Sequence, residues 1–196
     1  MTHARCSQYA RETSRDRPGS TGVNLDLQTG LMTDNPTAAV DQLRVVADDL
    51  TGAEIRALLA AHHAEMADTT PACSMHALDL TALRDPAVTV WSAWSGDDLV
   101  GCGALKELDP EHAEIKSMRT ADGHTGRGVA GAVLAHLVAA ARERGYRRLS
   151  LETGAEDFFA PARRLYLRHG FTECGPFGSY DADPLSRYFT LALDPS

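Results

Sequence analysis

The segment of residues 123–131 carries four glycines and lies between a run typical of a β-strand and a run typical of an α-helix. Glycine adopts positive φ angles at little cost, so such a segment lets several backbone N–H groups point at one anion. The N-terminal end of the following helix adds a partial positive charge. The segment therefore predicts a site for a phosphate or diphosphate, and the plainer alternative is a turn that only joins strand to helix.

Hydrophobic periodicity predicts strands and helices in alternation around this segment. The predicted strands are residues 43–45, 88–94, 99–108, 113–120, 147–153, 171–174 and 187–193. Helices are predicted to begin near residue 54, directly after the glycine-rich segment and near Pro161. The three strands before the segment form an antiparallel meander, and the whole order predicts a mixed α/β layer structure.

The strand over residues 113–120 contains a change of register. Its apolar residues Ile115 and Met118 are three positions apart, so a regular pleat cannot place both on one face. We expect a β-bulge near Lys116 or Ser117.

A dinucleotide site is one interpretation of the glycines. Residues 126–131 match the pattern G-x-G-x-x-G, and Glu152 lies where an acidic residue would bind a ribose. However, only 44 residues follow Glu152 in a chain of 196, too few for the remaining units of such a fold. The segment is also not a P-loop, because no Gly-Lys-Ser/Thr follows.

Three motifs resemble the GNAT N-acetyltransferase superfamily. Residues 125–130, Thr-Gly-Arg-Gly-Val-Ala, resemble its acyl-CoA diphosphate loop, whose pattern is Gln/Arg-x-x-Gly-x-Gly/Ala. Residues 101–105 resemble its central strand, and residues 165–171 resemble its L-Y-x-x-x-G-F run. The resemblance covers about residues 42–193. It implies a single domain with a mostly antiparallel sheet, helices on both faces and two central strands that splay apart.

The resemblance also implies which residues hold acetyl-CoA, the co-substrate. The implied binding residues are Met118, Arg119, Thr120, Thr125, Gly126, Arg127, Gly128, Val129, Ala130, Gly131 and Phe159. The backbones of Met118 and Thr120 would hold the pantetheine arm. Two positions depart from the pattern: Thr125 replaces the usual Gln or Arg, and Phe159 replaces an Asn that often contacts the cofactor.

Two catalytic residues are implied in the same way. Glu114 matches the strand that supplies the general base in some members, with a solvated strand-end carboxylate as the alternative, and Glu107 and Glu152 are substitutes. Tyr166 matches the usual general acid, and the alternative is a tyrosine packed in the core.

The charge and cysteine composition restricts the kinds of molecule that the protein is expected to bind. With 19 Lys and Arg against 27 Asp and Glu, the net charge of −8 argues against nonspecific binding to nucleic acid or anionic lipid. No apolar stretch has the length of a membrane helix, so we expect a cytoplasmic protein. The four cysteines lack the spacing of a metal site, and no metal is expected.

We expect a disordered tail over residues 1–38 and one GNAT-like domain over residues 39–196. The leading hypothesis is an N-acetyltransferase that acts on a primary amine of a small molecule or peptide. The alternatives are a non-catalytic acyl-CoA-binding regulatory module and a dinucleotide-dependent oxidoreductase. A homodimer could form through an exposed edge strand near the C-terminus.

Overall fold

The computed structural model describes residues 43–69 and 78–193, and they form a seven-stranded sheet. The strands are β1 (Leu43–Asp48), β2 (Val88–Ser95), β3 (Asp98–Asp109), β4 (His112–Thr120), β5 (Arg148–Gly154), β6 (Thr172–Cys174) and β7 (Ser186–Ala192). The predicted tail over residues 1–38 lies outside the described residues. So do both ends of the predicted domain over residues 39–196.

Within residues 43–69 and 78–193, three α-helices pack on this sheet. They are α1 (Ala53–Thr69), α2 (Val129–Glu143) and α3 (Ala160–Arg168), and short 3₁₀ turns cover Ala82–Arg84 and Asp157–Phe159. Helix α2 begins directly after the glycine-rich segment, and α3 carries Pro161 in its first turn, where a missing N–H costs no hydrogen bond. No helix among the described residues is long and apolar enough to cross a membrane.

The strands lie in the order β1-β2-β3-β4-β5-β7-β6, and β4 with β5 is the one parallel pair among the described strands. Their pairing ends where Ile115 lies beside Leu151. Beyond that point β4 remains paired to β3 and β5 remains paired to β7, so the two central strands part. This confirms the expected splay. It also excludes the dinucleotide interpretation, which needs a parallel sheet of repeated βαβ units.

The expected bulge lies in β4. The register between β3 and β4 shifts between Cys102 and Ala104, where β4 contains one residue more than β3. Ser117 takes up the change with a φ of 52°, a left-handed conformation uncommon for a residue other than glycine. Ser117 and Met118 therefore have no registered partner on β3, and β5 has already parted from β4.

Each face of the sheet has its own hydrophobic core. On one face, Ile55 and Leu59 of α1 pack with Val90 and Cys102. On the other face, α2 and α3 cover a larger cluster. Gly103 permits the close approach of α2, since a Cβ there would lie 2.9 Å from Leu137 Cδ1. The result is the predicted mixed α/β domain with helices on both faces.

Candidate functional site

A cleft of about 770 Å³ passes through the opening between β4 and β5. On one side it is lined by α2, α3 and the glycine-rich segment, and on the other by α1 and the loop before β7. The two helical layers lie on opposite faces of the sheet, so the cleft connects these faces. Two molecules can therefore enter from opposite sides and meet between the strands.

The glycine-rich segment forms the wall at the N-terminal end of α2. Gly123, Gly126 and Gly128 have φ angles of 79°, 76° and 82°, and Gly128 is the residue that caps α2. A Cβ added at Gly123 or Gly126 would meet nothing within 4 Å, so the space beside the backbone is open. This combination of positive φ angles, open space and a helix N-terminus is suited to an anion.

Most of the residues implied to bind the cofactor line this cleft. They are Met118, Arg119, Thr120, Thr125, Gly126, Gly128, Val129, Ala130, Gly131 and Phe159. Arg127 is exposed and does not line the cleft. Because Thr125 also lacks a cationic side chain, the segment offers an anion mainly backbone N–H groups.

Phe159 forms part of the wall between β5 and α3. Its ring packs edge to face on Phe158, with centroids 5.0 Å apart, and both rings line the cleft. The ring lies directly over Gly154 at the end of β5, where any Cβ would overlap it. Gly154 therefore determines where this aromatic wall stands.

We expect Gly154→Ala to lower the free energy of unfolding by about 1–3 kcal/mol, because the new methyl group must displace the Phe159 ring. Chemical denaturation measures this change. In a Phe159→Ala background the same substitution should cost less, since the overlapping ring is gone and the Glu156 Oε2, 2.7 Å from the new Cβ, is the remaining atom that must shift. An equal cost in both backgrounds would contradict this explanation.

The side of the cleft near α1 is polar. Arg119 on β4 forms ion pairs with Glu65 of α1 and with Asp122, the latter at 3.1 Å. Among the described residues that line the cleft, His62 Nδ1, Ser117 Oγ and Arg119 Nε are buried without a hydrogen-bond partner. Buried polar atoms are normally paired, so these three are candidates to contact a ligand or water in the cleft.

His62 faces the cleft as a neutral group. Burial, together with the nearby Arg119 charge, lowers the pKa of His62 from its ordinary value of 6.5 to about 4. The imidazole is therefore uncharged near neutral pH and can donate or accept a hydrogen bond.

Tyr166 lies on α3 with its side chain in the core and against the cleft. It is 6% exposed and packs on Phe171, with ring centroids 5.8 Å apart. Burial, and to a smaller extent the charge of Glu152, raises the pKa of Tyr166 well above its ordinary value. The hydroxyl therefore remains protonated at any physiological pH.

Glu114 does not line the cleft. It is 3% exposed, and its Oε1 accepts hydrogen bonds from Tyr180 Oη at 2.5 Å and Lys116 Nζ at 3.3 Å. Lys116, two residues further along β4, lies between Glu114 and the cleft and does line it. Burial and contact with Glu114 also raise the pKa of Tyr180, so this hydroxyl stays protonated.

Glu152 is the carboxylate on the β5 side of the opening. It lines the cleft, and its Oε1 accepts a hydrogen bond from Ser186 Oγ at 2.6 Å. Burial raises the pKa of Glu152, while the Ser186 hydrogen bond and the Lys116 charge act in the opposite direction. A half-buried carboxylate that lines the cleft is a candidate to accept a proton from a bound molecule.

No local sequence motif predicts the α1 side of the cleft. His62, Glu65 and Met66 line it, yet they lie more than 45 positions before the strand they face. For the polar residues of β4 and β5, a usable signal is their occurrence at alternate positions of otherwise apolar strands. Glu114 with Lys116 and Ser150 with Glu152 follow this pattern, and Glu114 lies beside Ser150 in the parallel pair.

A model of the acetyltransferase (GNAT) family matches residues 55–171, from α1 to the end of the loop after α3. The uncharacterized N-acetyltransferase YsnE of Bacillus subtilis is 51% identical over 151 residues, which cover 77% of this chain and 100% of that protein. The uncharacterized N-acetyltransferase YedL of Escherichia coli is 49% identical over 146 residues, covering 74% of this chain and 92% of that protein.

A solved structure from Klebsiella pneumoniae, whose name assigns it to the acyl-CoA N-acyltransferases, has a similar fold. It aligns with a TM-score of 0.66 and 31% sequence identity, covering 78% of this chain and 98% of that one. The family match includes β4, the glycine-rich segment and α3, which together form most of the cleft wall.

Proposed function

Because this chain belongs to the GNAT acetyltransferase family, we propose that it transfers an acetyl group from acetyl-CoA to a primary amine of a small molecule or peptide. The observation that carries the proposal is the cleft through the sheet, with the glycine-rich segment on one side and the Glu152 carboxylate in the opening. Donor and acceptor would enter from opposite faces and react directly in a ternary complex. Holding the two together supplies much of the acceleration.

The donor side of the cleft suits acetyl-CoA, which supplies an acetyl group activated as a thioester. Backbone N–H groups of residues 126–131 bind its diphosphate at the positive end of α2. The parted backbone of β4 at Met118 and Thr120 holds the pantetheine arm, and the Phe159 ring closes the wall beside it. The volume of about 770 Å³ supports a ligand of this size together with a small acceptor group.

The bulge in β4 positions a donor for the thioester carbonyl. Ser117 and Met118 have no registered partner on either neighbouring strand. The N–H group of Met118 is therefore the best placed to stabilise the negative charge that develops on the carbonyl oxygen during attack.

Glu152 accepts the proton of the attacking amine. An amine is protonated at neutral pH and must lose its proton before it can attack. Glu152 lines the cleft, whereas Glu114 lies behind Lys116 and reaches the cleft through that residue. We therefore assign Glu152 as the proton acceptor and retain Glu114 as the alternative acceptor, which mutation must test.

Tyr166 donates a hydrogen bond to the sulfur of CoA as it departs. Its raised pKa keeps the hydroxyl protonated, and its ring contacts hold it against the cleft.

A cytoplasmic location and a homodimer, which would use the edge strand β6, stay predictions.

Calorimetry with acetyl-CoA, followed by a screen of amines with detection of released thiol, tests this function. We expect binding at micromolar acetyl-CoA, no binding of NAD, and thiol release that depends on an amine. Tyr166→Phe should slow thiol release without weakening acetyl-CoA binding. Failure to bind acetyl-CoA at micromolar concentration, or binding without thiol release for every class of amine, would count against the proposal.

A further inference from the structure

Two charged side chains line the cleft at the point where the central strands part. Ile115 and Leu151 are the last paired residues of β4 and β5, and Lys116 and Glu152 are the next residue on each strand. Both line the cleft. The buried pair of strands thus ends in one cation and one carboxylate at the inner end of the opening.

Lys116 is held in place from behind. It is 8% exposed, and its Nζ donates to Glu114 Oε1 at 3.3 Å and to Tyr180 Oη at 2.8 Å. Tyr180 in turn donates to Glu114 Oε1, so the three side chains form a closed triangle of hydrogen bonds. The Lys116 ammonium also lies 5.5 Å from the centre of the Tyr180 ring.

The loop between β6 and β7 fixes Tyr180 over this face of the sheet. The Tyr180 ring packs on Phe177 and Tyr188, with centroids 5.1 Å and 5.6 Å apart. A side chain held by aromatic neighbours and two hydrogen bonds loses little further freedom when it orients Lys116. The position of the ammonium is therefore set before any substrate binds.

Glu152 has a different environment. Its Oε1 accepts a hydrogen bond from the uncharged Ser186 hydroxyl, and the Lys116 cation acts on its carboxylate. The titratable and charged groups that act on it from β4, β7, α3 and the β6–β7 loop are Glu114, Lys116, Tyr166, Tyr180, Asp183 and Tyr188. Among these neighbours, one positive charge favours the ionised form of Glu152, whereas two carboxylates and burial disfavour it.

We propose that Lys116 is a positioning residue that keeps the Glu152 carboxylate ionised and ready for the amine proton, with Glu114 and Tyr180 holding the ammonium in place. This inference rests on the proposed function, because it takes Glu152 as the proton acceptor. The triangle has two opposed effects on Glu152. The Lys116 charge stabilises its ionised form, and the Glu114 charge destabilises it.

Removing the Lys116 charge and removing the Glu114 charge should shift the pH profile of kcat/KM in opposite directions. The acidic limb of that profile reports the ionisation of the essential base in the free enzyme. Removing the ammonium with Lys116→Met should move the limb to higher pH by about one unit, the lower end of what a nearby opposite charge causes. Removing the negative charge with Glu114→Gln should move the limb to lower pH.

The matched control is Lys116→Arg, which keeps a positive charge at this position and should leave the limb close to that of the unmodified enzyme. Lys116→Met leaves Glu114 buried without its cation. If this variant does not fold, the double variant Lys116→Met with Glu114→Gln replaces it. A smaller upward shift is then expected, because Lys116 lines the cleft as Glu152 does, whereas Glu114 lies behind Lys116.

The outcomes separate this inference from the proposed function. An unchanged limb in Lys116→Met, or a shift in the same direction for Lys116→Met and Glu114→Gln, would overturn the inference while Glu152 could still be the base. Loss of the limb in Glu114→Gln would instead identify Glu114 as the base and overturn both assignments. A purely structural role for the triangle would lower activity at all pH values without moving the limb.

Discussion

Glu152→Gln is expected to lower kcat/KM for amine acetylation by about 10²–10⁴-fold near neutral pH, the usual contribution of a positioned acid–base group. Glutamine has the shape of glutamate and still accepts the hydrogen bond from Ser186, so the wall of the cleft is preserved. It cannot accept the proton of the acceptor amine. The deficit should therefore shrink as the pH rises towards the pKa of the amine itself, because more of the acceptor is then neutral in solution.

Steady-state rates over a range of pH measure this effect, and calorimetry with acetyl-CoA is the control. Donor binding should be unaffected, since the anion-binding segment lies on the opposite side of the cleft. Glu114→Gln should keep a clear acidic limb. If Glu152→Gln retains activity within about twofold of the unmodified enzyme at neutral pH, Glu152 is not the proton acceptor.

Gly126→Ala is expected to weaken acetyl-CoA binding by about tenfold or more. Gly126 has a φ of 76°, a conformation that costs an L-residue with a side chain roughly 1–2 kcal/mol. Relaxation of that strain turns the backbone N–H groups of the segment away from the diphosphate. The added methyl group would also occupy the open space beside the backbone, where the anion is expected.

Gly145→Ala provides a matched control at the other end of α2. Gly145 has a φ of 82° and the same open surroundings, yet it does not line the cleft. Both variants should lose a similar amount of stability in chemical denaturation, but Gly145→Ala should bind acetyl-CoA normally in calorimetry. An equal loss of affinity in both variants would attribute the effect to general destabilisation.

Local patterns were sufficient to predict most of the fold. Alternation of apolar residues located the strands, and the three-residue interval between Ile115 and Met118 predicted the bulge that Ser117 provides. Both signals are local, because side chains alternate along a strand with a period of two. The glycine-rich segment could also be predicted locally, since glycine adopts positive φ angles at little cost in any tertiary context.

The surroundings of the predicted catalytic residues were not predictable in the same way. Glu114 on β4 is a plausible base by its place in the strand, but its burial depends on Tyr180, which lies 66 positions later. The ion pair between Arg119 and Glu65 spans 54 positions. No local pattern encodes such pairs, because loop packing and helix placement decide which side chains meet.

The sequence by itself determined the order of elements, the bulge, the anion-binding segment and the resemblance to the family, because each depends on backbone preferences and spacing over a few residues. Only the tertiary structure decided which of the candidate bases on the central strands lines the cleft. Parting of β4 from β5 places Lys116 and Glu152 in the wall of the cleft, while the β6–β7 loop covers Glu114. Exposure and charge in a buried site depend on contacts between distant segments, so the chemistry of the opening is fixed by packing.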